Sequence, residues 1–576
     1  MNQLHFGDNL EVLRKHVKDE SVDLIYLDPP FNSKATYNIL YRSPVGADAQ
    51  RKAFEDTWRW EDGAEDAMES VRQTDLSIFK VLQSLQGFLG QSDLMAYLAM
   101  MAVRLVELRR VLKPTGSLYL HCDPTASHYL KVVLDGVFGP DSFRTDISWR
   151  RQSAHNDGAQ GRKQYGNVRD TIFFYSRSQQ WTWNWLYTPY DEEYVRSFYR
   201  HVEEGTDRRY RLGDITAPGG ADPAKRNPHY EFLGVERYWR YSKERMQELY
   251  DAGRIVQTGP GRVPQYKRYL DEMSGVALQN DWTDIKPLHG SNQERIGYPT
   301  QKPLALLERI ISASSNPGDL VLDPFCGCGT AVHAAERLGR KWIGIDITYL
   351  AIQVIEDRIK TWLPNAEYTV QGIPKDEFAA RKLAQMDPHT FQDWAVGRVG
   401  GQSRGRGPDK GIDGEISFIR APRKYGHAIV SVKAGRHVGP DAIRVLKSVV
   451  DREGADMGVF ICLDEPTRDM RTEAATAKKI ELPGGSRPRI QIVTVRDLIA
   501  GPSLGILTEL NTVRAAQEAK AAKRRKQARP PTADQLRREP PLPPMPIKGG
   551  KQDKVQMPMD LDEPVLVSQQ VRKRSA

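Results

Sequence analysis

The segment 320–346 constrains the fold more than any other part of the chain. A short apolar run, Leu320–Leu322, leads into a Gly-rich loop at Asp323–Thr330, and a helical stretch follows. A second β-prone run, Lys341–Ile345, then ends at Asp346. Strand, glycine loop, helix and strand in this order are typical of nucleotide-binding α/β folds, which place an acid here for ribose hydroxyls. The segment predicts an adenosine-containing cofactor.

A dinucleotide dehydrogenase is the competing interpretation of this segment. Gly327 and Gly329 supply a G-x-G pair between strand and helix, but the third glycine of G-x-G-x-x-G is missing, because Val332 stands there. Hydride transfer is therefore disfavoured.

A second strand and loop lie near the amino terminus. The apolar run Val22–Leu27 ends at Asp28-Pro29-Pro30-Phe31, and a helical pattern over Leu94–Leu112 is followed by a turn and the apolar run Ser117–Cys122. Alternation of this kind predicts a doubly wound, Rossmann-like α/β sheet. The proline pair can also be simply a loop that stops a strand.

The tetrapeptide after Val22–Leu27 carries a specific chemistry. Asp28 and the carbonyl of Pro29 can accept hydrogen bonds from a planar amine, while Phe31 can stack on its ring. Such a clamp suits a base that has been flipped out of a duplex, and direct methyl transfer to it needs no covalent enzyme intermediate.

These two motifs, with GDNLEVL at Gly7–Leu13 and YPTQKPLALLERII at Tyr298–Ile311, resemble the beta group of amino-methyltransferases. The likeness extends from Met1 to about Leu363, and the motifs occur in the permuted order of that group. The resemblance implies a site-specific DNA methyltransferase that uses S-adenosylmethionine. The DPP form favours N6 of adenine over N4 of cytosine. RNA methylation and a non-catalytic DNA-binding regulator remain alternatives.

The resemblance also assigns roles to individual residues. Catalysis would fall to Asp28, Pro29, Pro30 and Phe31. Cofactor binding would involve Asp8 at the adenine amine, Thr300 and Lys302 at the carboxylate side, Asp323, Phe325 and Gly327 at the methionine end, Gly329 in the same loop, and Asp346 at the ribose.

A further resemblance lies in the carboxyl-terminal part. Gly411-Ile412-Asp413-Gly414 and Ile429–Lys433 are similar to the Mrr-like branch of PD-(D/E)xK nucleases, where Asp413 would bind Mg²⁺ and, with Lys433, activate water. Ser431 replaces the usual acid or Gln, and Phe391-Gln392 replaces Phe-Glu. An active nuclease, a silent DNA-binding module and an unrelated α/β unit all remain open. The additional candidate ligands are Asp393 and Glu415.

Composition and motif positions suggest five regions. They are a catalytic half (1–177), a target-recognition insertion (178–290), a cofactor-binding half (291–374), a restriction-endonuclease-like domain (375–505) and a basic, Pro-rich, disordered tail (506–576). The insertion interleaves aromatic and basic residues, as expected for base and phosphate contacts. Trp149, Trp239 and Tyr241 are equally compatible with core positions.

The net charge of +9 and the pI of about 9.1 favour a polyanionic partner, and double-stranded DNA is the expected one. Four scattered cysteines fit a reducing compartment, and neither a leader nor a long apolar run is apparent. We therefore expect no membrane association and a cytoplasmic, nucleoid-associated protein of bacterial or archaeal type. A homodimer is left open.

Overall fold

The computed structural model describes residues 1–30, 36–42, 48–55, 60, 63–152, 163, 165–222, 226–288, 292, 294–296, 298, 300–403, 411–421, 424–435, 438–482 and 485–506. These residues all belong to one compact unit, Met1–Arg514. Phe31 and the tail from residue 507 lie outside the described residues.

The large sheet combines strands from both ends of the amino-terminal 371 residues. Its strands are β1 (Asn2–Phe6), β2 (Val22–Leu27), β3 (Leu112–Cys122), β4 (Phe143–Arg150), β5 (Arg169–Ser176), β6 (Asp281–Trp282), β7 (Leu320–Asp323), β8 (Lys341–Asp346) and β9 (Tyr368–Gln371). Their order is β6-β4-β5-β3-β2-β7-β8-β1-β9. The strands from β3 to β9 in this order run parallel, whereas β5 is antiparallel to both β3 and β4.

Both faces of this sheet are buried, which explains why its strands are almost continuously apolar. Leu24 and Tyr26 of β2 enter one hydrophobic core, whereas Ile25 and Leu27 enter the other. The helices of this part are Asn9–His16, Ala64–Thr74, Leu76–Leu89, Asp93–Val111, Ser127–Phe138, Leu304–Ser314, Thr330–Arg337 and Tyr349–Trp362. The predicted doubly wound α/β fold is confirmed.

One local prediction was incomplete. The expected turn after the helix Asp93–Val111 lies inside β3, because Leu112 pairs with Val22 and Ser117 pairs with Leu24. The residues between Leu112 and Ser117 bulge from the ladder. The ammonium of Lys113 in this bulge is 2.7 Å from the Asp23 carboxylate, and this ion pair anchors the bulge to β2.

The insertion, which lacks a clear sequence period, forms small sheets. Its four-stranded sheet has the order Ile255–Val256, Gln265–Tyr269, Arg209–Asp214, His201–Val202. The two-stranded pairs are His229–Phe232 with Val235–Tyr238 and Tyr187–Thr188 with Val276–Ala277; the helices are Glu192–Phe198 and Lys243–Asp251. Trp149 and Trp239 are buried and Tyr241 is packed against the core around Trp239, so the core interpretation holds for these three aromatics.

The carboxyl-terminal part is a second α/β unit. Its sheet has the order β10 (Gln402–Ser403), β11 (Gly414–Ala421), β12 (Lys424–Lys433), β13 (Met457–Cys462), β14 (Ile490–Thr494). Its helices are Glu377–Met386, Pro388–Arg398, Pro440–Arg452, Arg468–Ala475 and Val495–Ala500. A further two-stranded pair joins Lys479–Leu482 to Gly485–Pro488.

Thr36–Arg42 and Asp48–Glu55 form a separate hairpin near the amino terminus.

The two α/β parts share one hydrophobic core. Tyr349 opens the helix that follows β8, and its ring contacts Gly397 so closely that a Cβ atom there would lie 2.6 Å from the ring. Arg398 donates hydrogen bonds to the Tyr349 hydroxyl and to the carbonyl of Leu498. The helix Tyr349–Trp362, which follows β8, therefore packs directly on the carboxyl-terminal α/β unit.

Candidate active site

A cavity of about 260 Å³ lies at the carboxyl ends of the central strands. Its walls include Asp8 after β1, Asp28 after β2, Asp323 at the end of β7 and Asp346 at the end of β8. Carboxyl ends of parallel strands are where open α/β sheets bind ligands. The other predicted residues along its walls are Pro29, Pro30, Thr300, Lys302, Phe325 and Gly327.

Asp28 has two different oxygen environments. The ammonium of Lys302 bonds Oδ2 as an ion pair. Oδ1 is buried and has no hydrogen-bond partner within the part of the chain that the structure describes. A buried acceptor of this kind is costly to leave unpaired. Because Asp28 lines the cavity, a ligand that donates an N–H or O–H group is the kind of partner that this oxygen lacks.

The glycine loop is held in a conformation that favours glycine. Gly327 has φ +48° and Gly329 has φ +74°, and a Cβ on Gly329 would lie 2.8 Å from a carbon of Ile355. The Gly327 N–H donates to Oδ2 of Asp346 at 2.9 Å, and the Thr348 N–H donates to Oδ1 at 2.8 Å. Asp346 therefore ties the loop to the end of β8.

The cavity is unusually acidic. Burial raises the pKa of Asp346 above its ordinary value, although hydrogen bonds from Thr348 and Gly327 oppose this effect. Burial also raises the pKa of Asp323 well above its usual range, and the nearby charges of Asp28 and Asp346 act in the same direction. A cationic ligand relieves such a cluster of acids.

Arg104 and Asn9 are among the cavity residues that were not assigned from the sequence. Arg104 bonds Asp8 at 2.9 Å and Asn9 at 2.6 Å, and Asn9 donates to the Pro324 carbonyl at 2.8 Å. Asn9 stands inside the quoted GDNLEVL motif, whereas nothing in the helical pattern around Arg104 distinguishes it. Asp8 itself caps the helix that begins at Asn9 by accepting from the Leu10 N–H.

The candidate nuclease residues also come together. Asp413 is buried, and its Oδ2 accepts from the Val432 N–H at 2.7 Å and from the Ser431 hydroxyl at 3.3 Å. The ammonium of Lys433 is 4.0 Å from the same oxygen. Gln392 donates to the backbone carbonyl of Asp413.

A divalent cation does not fit this arrangement of described residues. Within them, no group of three His, Cys, Asp or Glu side chains is close enough to hold a metal. Glu415 is paired with His427 at 3.1 Å. Magnesium prefers several oxygen ligands, and Asp413 is the carboxylate available beside Lys433. We assign no metal-dependent step to this domain.

Comparison with known families decides the classification. Residues 22–357, more than half of the chain, match the DNA methylase family. The chain belongs to this family. Residues 383–487 of this DNA methylase match a restriction endonuclease family, so both resemblances drawn from the sequence are confirmed.

Individual relatives agree with this classification. The type II methyltransferase M.EcaI of Enterobacter cloacae is 33% identical over 298 residues, which are 51% of this chain and 65% of that protein. The Mod subunit of the type III restriction-modification enzyme StyLTI of Salmonella typhimurium is 28% identical over 352 residues, 58% of this chain and 50% of that subunit. The DNA methylase thus spans less than two thirds of either relative.

Solved structures give distant matches. TTHA0409 of Thermus thermophilus, complexed with S-adenosyl-L-methionine, has a TM-score of 0.31 and 16% identity, covering 64% of this chain and 98% of that one. The PvuII DNA methyltransferase, described as cytosine-N4-specific, has a TM-score of 0.30 and 14% identity, covering 68% of this chain and 94% of that one.

Within the described residues of this DNA methylase, no helix combines the length and apolar character needed to span a membrane.

Proposed function

We propose that the chain transfers a methyl group from S-adenosylmethionine to the exocyclic amine of a base flipped out of double-stranded DNA, with N6 of adenine preferred over N4 of cytosine. The observation that carries this proposal is the buried Oδ1 of Asp28, which has no hydrogen-bond partner among the described residues, on a residue that lines the same cavity as the glycine loop. An exocyclic amine supplies the N–H donor that this oxygen lacks.

The charges of the cavity support the choice of cofactor. S-adenosylmethionine carries a sulfonium and an ammonium group, and this positive charge complements an acidic cavity, with Asp323 at the proposed methionine end and Asp346 at the proposed ribose position. Lys302 is a cation of the same cavity, so it would serve the cofactor carboxylate as well as Asp28. When bound, the cofactor would supply an electrophilic methyl group.

The residues of the chain act through position and charge. Asp28 would accept a hydrogen bond from one amine N–H through Oδ1, while Lys302 holds its other oxygen. The carbonyl of Pro29 would accept a hydrogen bond from the second N–H. By the resemblance to the amino-methyltransferases, Phe31 would stack on the base. These bonds orient the nitrogen lone pair toward the electrophile and stabilise the positive charge that develops on the amine.

Two alternatives concern the substrate. The same clamp accommodates cytosine N4, because both bases present an amino group. An unpaired adenine in RNA would also reach it without opening a duplex.

Nucleoside identification distinguishes these substrates. Labelled S-adenosylmethionine is incubated with unmethylated duplex DNA and, separately, with RNA, and the products are digested to nucleosides. Label in N6-methyladenine from DNA is expected. Label in N4-methylcytosine would correct the base, and label in RNA alone would contradict the DNA assignment.

A further inference from the structure

A chain of polar side chains leads from the cavity wall into the sheet. The Tyr26 hydroxyl on β2 is 3.0 Å from Nδ1 of His121 on β3. Nε2 of His121 is 3.1 Å from Oδ2 of Asp170 on β5. The guanidinium of Arg151, which follows β4, is 3.2 Å from Oδ1 of Asp170. Tyr26, His121 and Asp170 are at most 3% exposed.

The hydrogen bonds between these side chains indicate which atoms carry the protons. Burial opposes ionisation of Asp170, but the hydrogen bond from His121 and the charge of Arg151 outweigh it and lower the pKa of the carboxyl. An ionised carboxylate accepts hydrogen bonds and donates none, so Nε2 of His121 carries a proton. When the ring is neutral, its other nitrogen, Nδ1, accepts the hydrogen of the Tyr26 hydroxyl.

The tautomer has a consequence for the cavity. With its hydrogen directed at His121, the oxygen of Tyr26 presents lone pairs and acts as an acceptor. Tyr26 lies near the carboxyl end of β2 and Asp28 follows that strand, and both residues line the cavity. Tyr26 therefore lines the same cavity as Asp28, whose Oδ1 has no hydrogen-bond partner among the described residues.

We propose that Tyr26 is an additional hydrogen-bond acceptor for a positively charged or amine donor in the cavity, and that His121 and Asp170 are positioning residues that fix its polarity. This inference rests on the proposed function. The donor is then the target amine, because Tyr26 lines the same cavity as Asp28. The ammonium group of the cofactor is the other source of the same chemistry.

Replacing Asp170 by Asn tests the polarity. An Asn amide can donate to Nε2, which moves the ring proton to Nδ1 and turns the Tyr26 hydroxyl hydrogen toward the cavity. Asp170→Asn should therefore harm the reaction only when the Tyr26 hydroxyl is present. The test is a double-mutant cycle in the full chain with Asp170→Asn, Tyr26→Phe and both together.

We expect each single substitution to lower kcat/KM for DNA about tenfold, and the double variant to be no worse than Tyr26→Phe. Calorimetry without DNA should give an unchanged Kd for S-adenosylmethionine. A Kd raised in both single variants would identify the cofactor ammonium as the donor. Additive losses, or full activity of Asp170→Asn, would overturn the inference, whereas an inactive wild-type chain on every DNA would overturn the proposed function.

A spectroscopic measurement supports the cycle without relying on activity. The ¹⁵N resonances of histidine-labelled protein, assigned with His121→Gln, report which ring nitrogen of His121 is protonated. We expect Nε2–H in the wild type and Nδ1–H in Asp170→Asn. A wild-type His121 that carries a proton on Nδ1, with or without one on Nε2, would overturn the inference.

Discussion

Lys302 forms an ion pair with Asp28 across 274 residues of sequence. The bond uses one carboxylate oxygen and leaves the other, Oδ1, buried without a hydrogen-bond partner among the described residues. The sequence resemblance placed Lys302 at the cofactor and Asp28 at the target base. Their contact joins the two halves of the site at one point, so that the orientation of the catalytic carboxylate depends on the segment that precedes the helix Leu304–Ser314.

Lys302→Met should lower kcat/KM for DNA methylation by about 10- to 100-fold, because Asp28 loses the cation that orients it. Steady-state methyl transfer measures the effect. Lys113→Met is the matched control, since it removes an ion pair with Asp23 outside the cavity. Equal losses in the two variants would show that the Lys302 effect is general destabilisation.

The affinity for S-adenosylmethionine should rise with pH. Burial raises the pKa values of Asp346 and Asp323, so these acids ionise over a range above the ordinary pKa of about 4. The cationic cofactor binds the ionised form better, and affinity should be lost as the pH falls through this range. Asp346→Asn should weaken this dependence. Calorimetry at a series of pH values would contradict the interpretation if the wild-type Kd did not change.

Gly397→Ala should lower the midpoint of thermal unfolding. A Cβ atom would lie 2.6 Å from the ring of Tyr349, and overpacking of this kind typically costs about 1–3 kcal/mol. The displacement of Tyr349 should also weaken cofactor binding, because this residue begins the helix after β8. Gly87→Ala is the control, since no heavy atom of another described residue, apart from its chain neighbours and the backbone of its own helix, lies within 4 Å of its Cβ position. Equal midpoints for Gly397→Ala and the wild type would exclude tight packing here.

The restriction-endonuclease-like domain should not cleave DNA with magnesium or manganese, because the described residues bring one carboxylate to Lys433. Incubation with supercoiled plasmids, both methylated and unmethylated, checks this expectation. Nicking by the wild type that disappears in Asp413→Asn would show that this domain is an active nuclease.

Local patterns were sufficient to predict the strands and loops around the cavity. The run Val22–Leu27 and its Asp-Pro-Pro ending form one short segment. The strand and glycine loop before Thr330 form another. In both segments, burial and turns depend on neighbouring residues. The helix predicted at Leu94–Leu112 is observed at Asp93–Val111, where the Ser92 side chain caps its first turn.

Contacts between distant segments were not predictable from these patterns. The network from Tyr26 to Asp170 requires β2, β3 and β5 to be neighbours, and strand order is a property of the whole sheet. Arg104 reaches Asp8 from another helix for the same reason. The domain boundaries, the homodimer and the cellular location remain predictions from sequence.

The most direct measurement is methyl transfer from labelled S-adenosylmethionine to unmethylated duplex DNA by the wild type and Asp28→Ala, with Asp441→Asn as a control at an exposed acid. Calorimetry would establish that Asp28→Ala still binds the cofactor. The account predicts label in N6-methyladenine with the wild type and Asp441→Asn, and none with Asp28→Ala. Undiminished transfer by Asp28→Ala, or no transfer to DNA by the wild type, would contradict it.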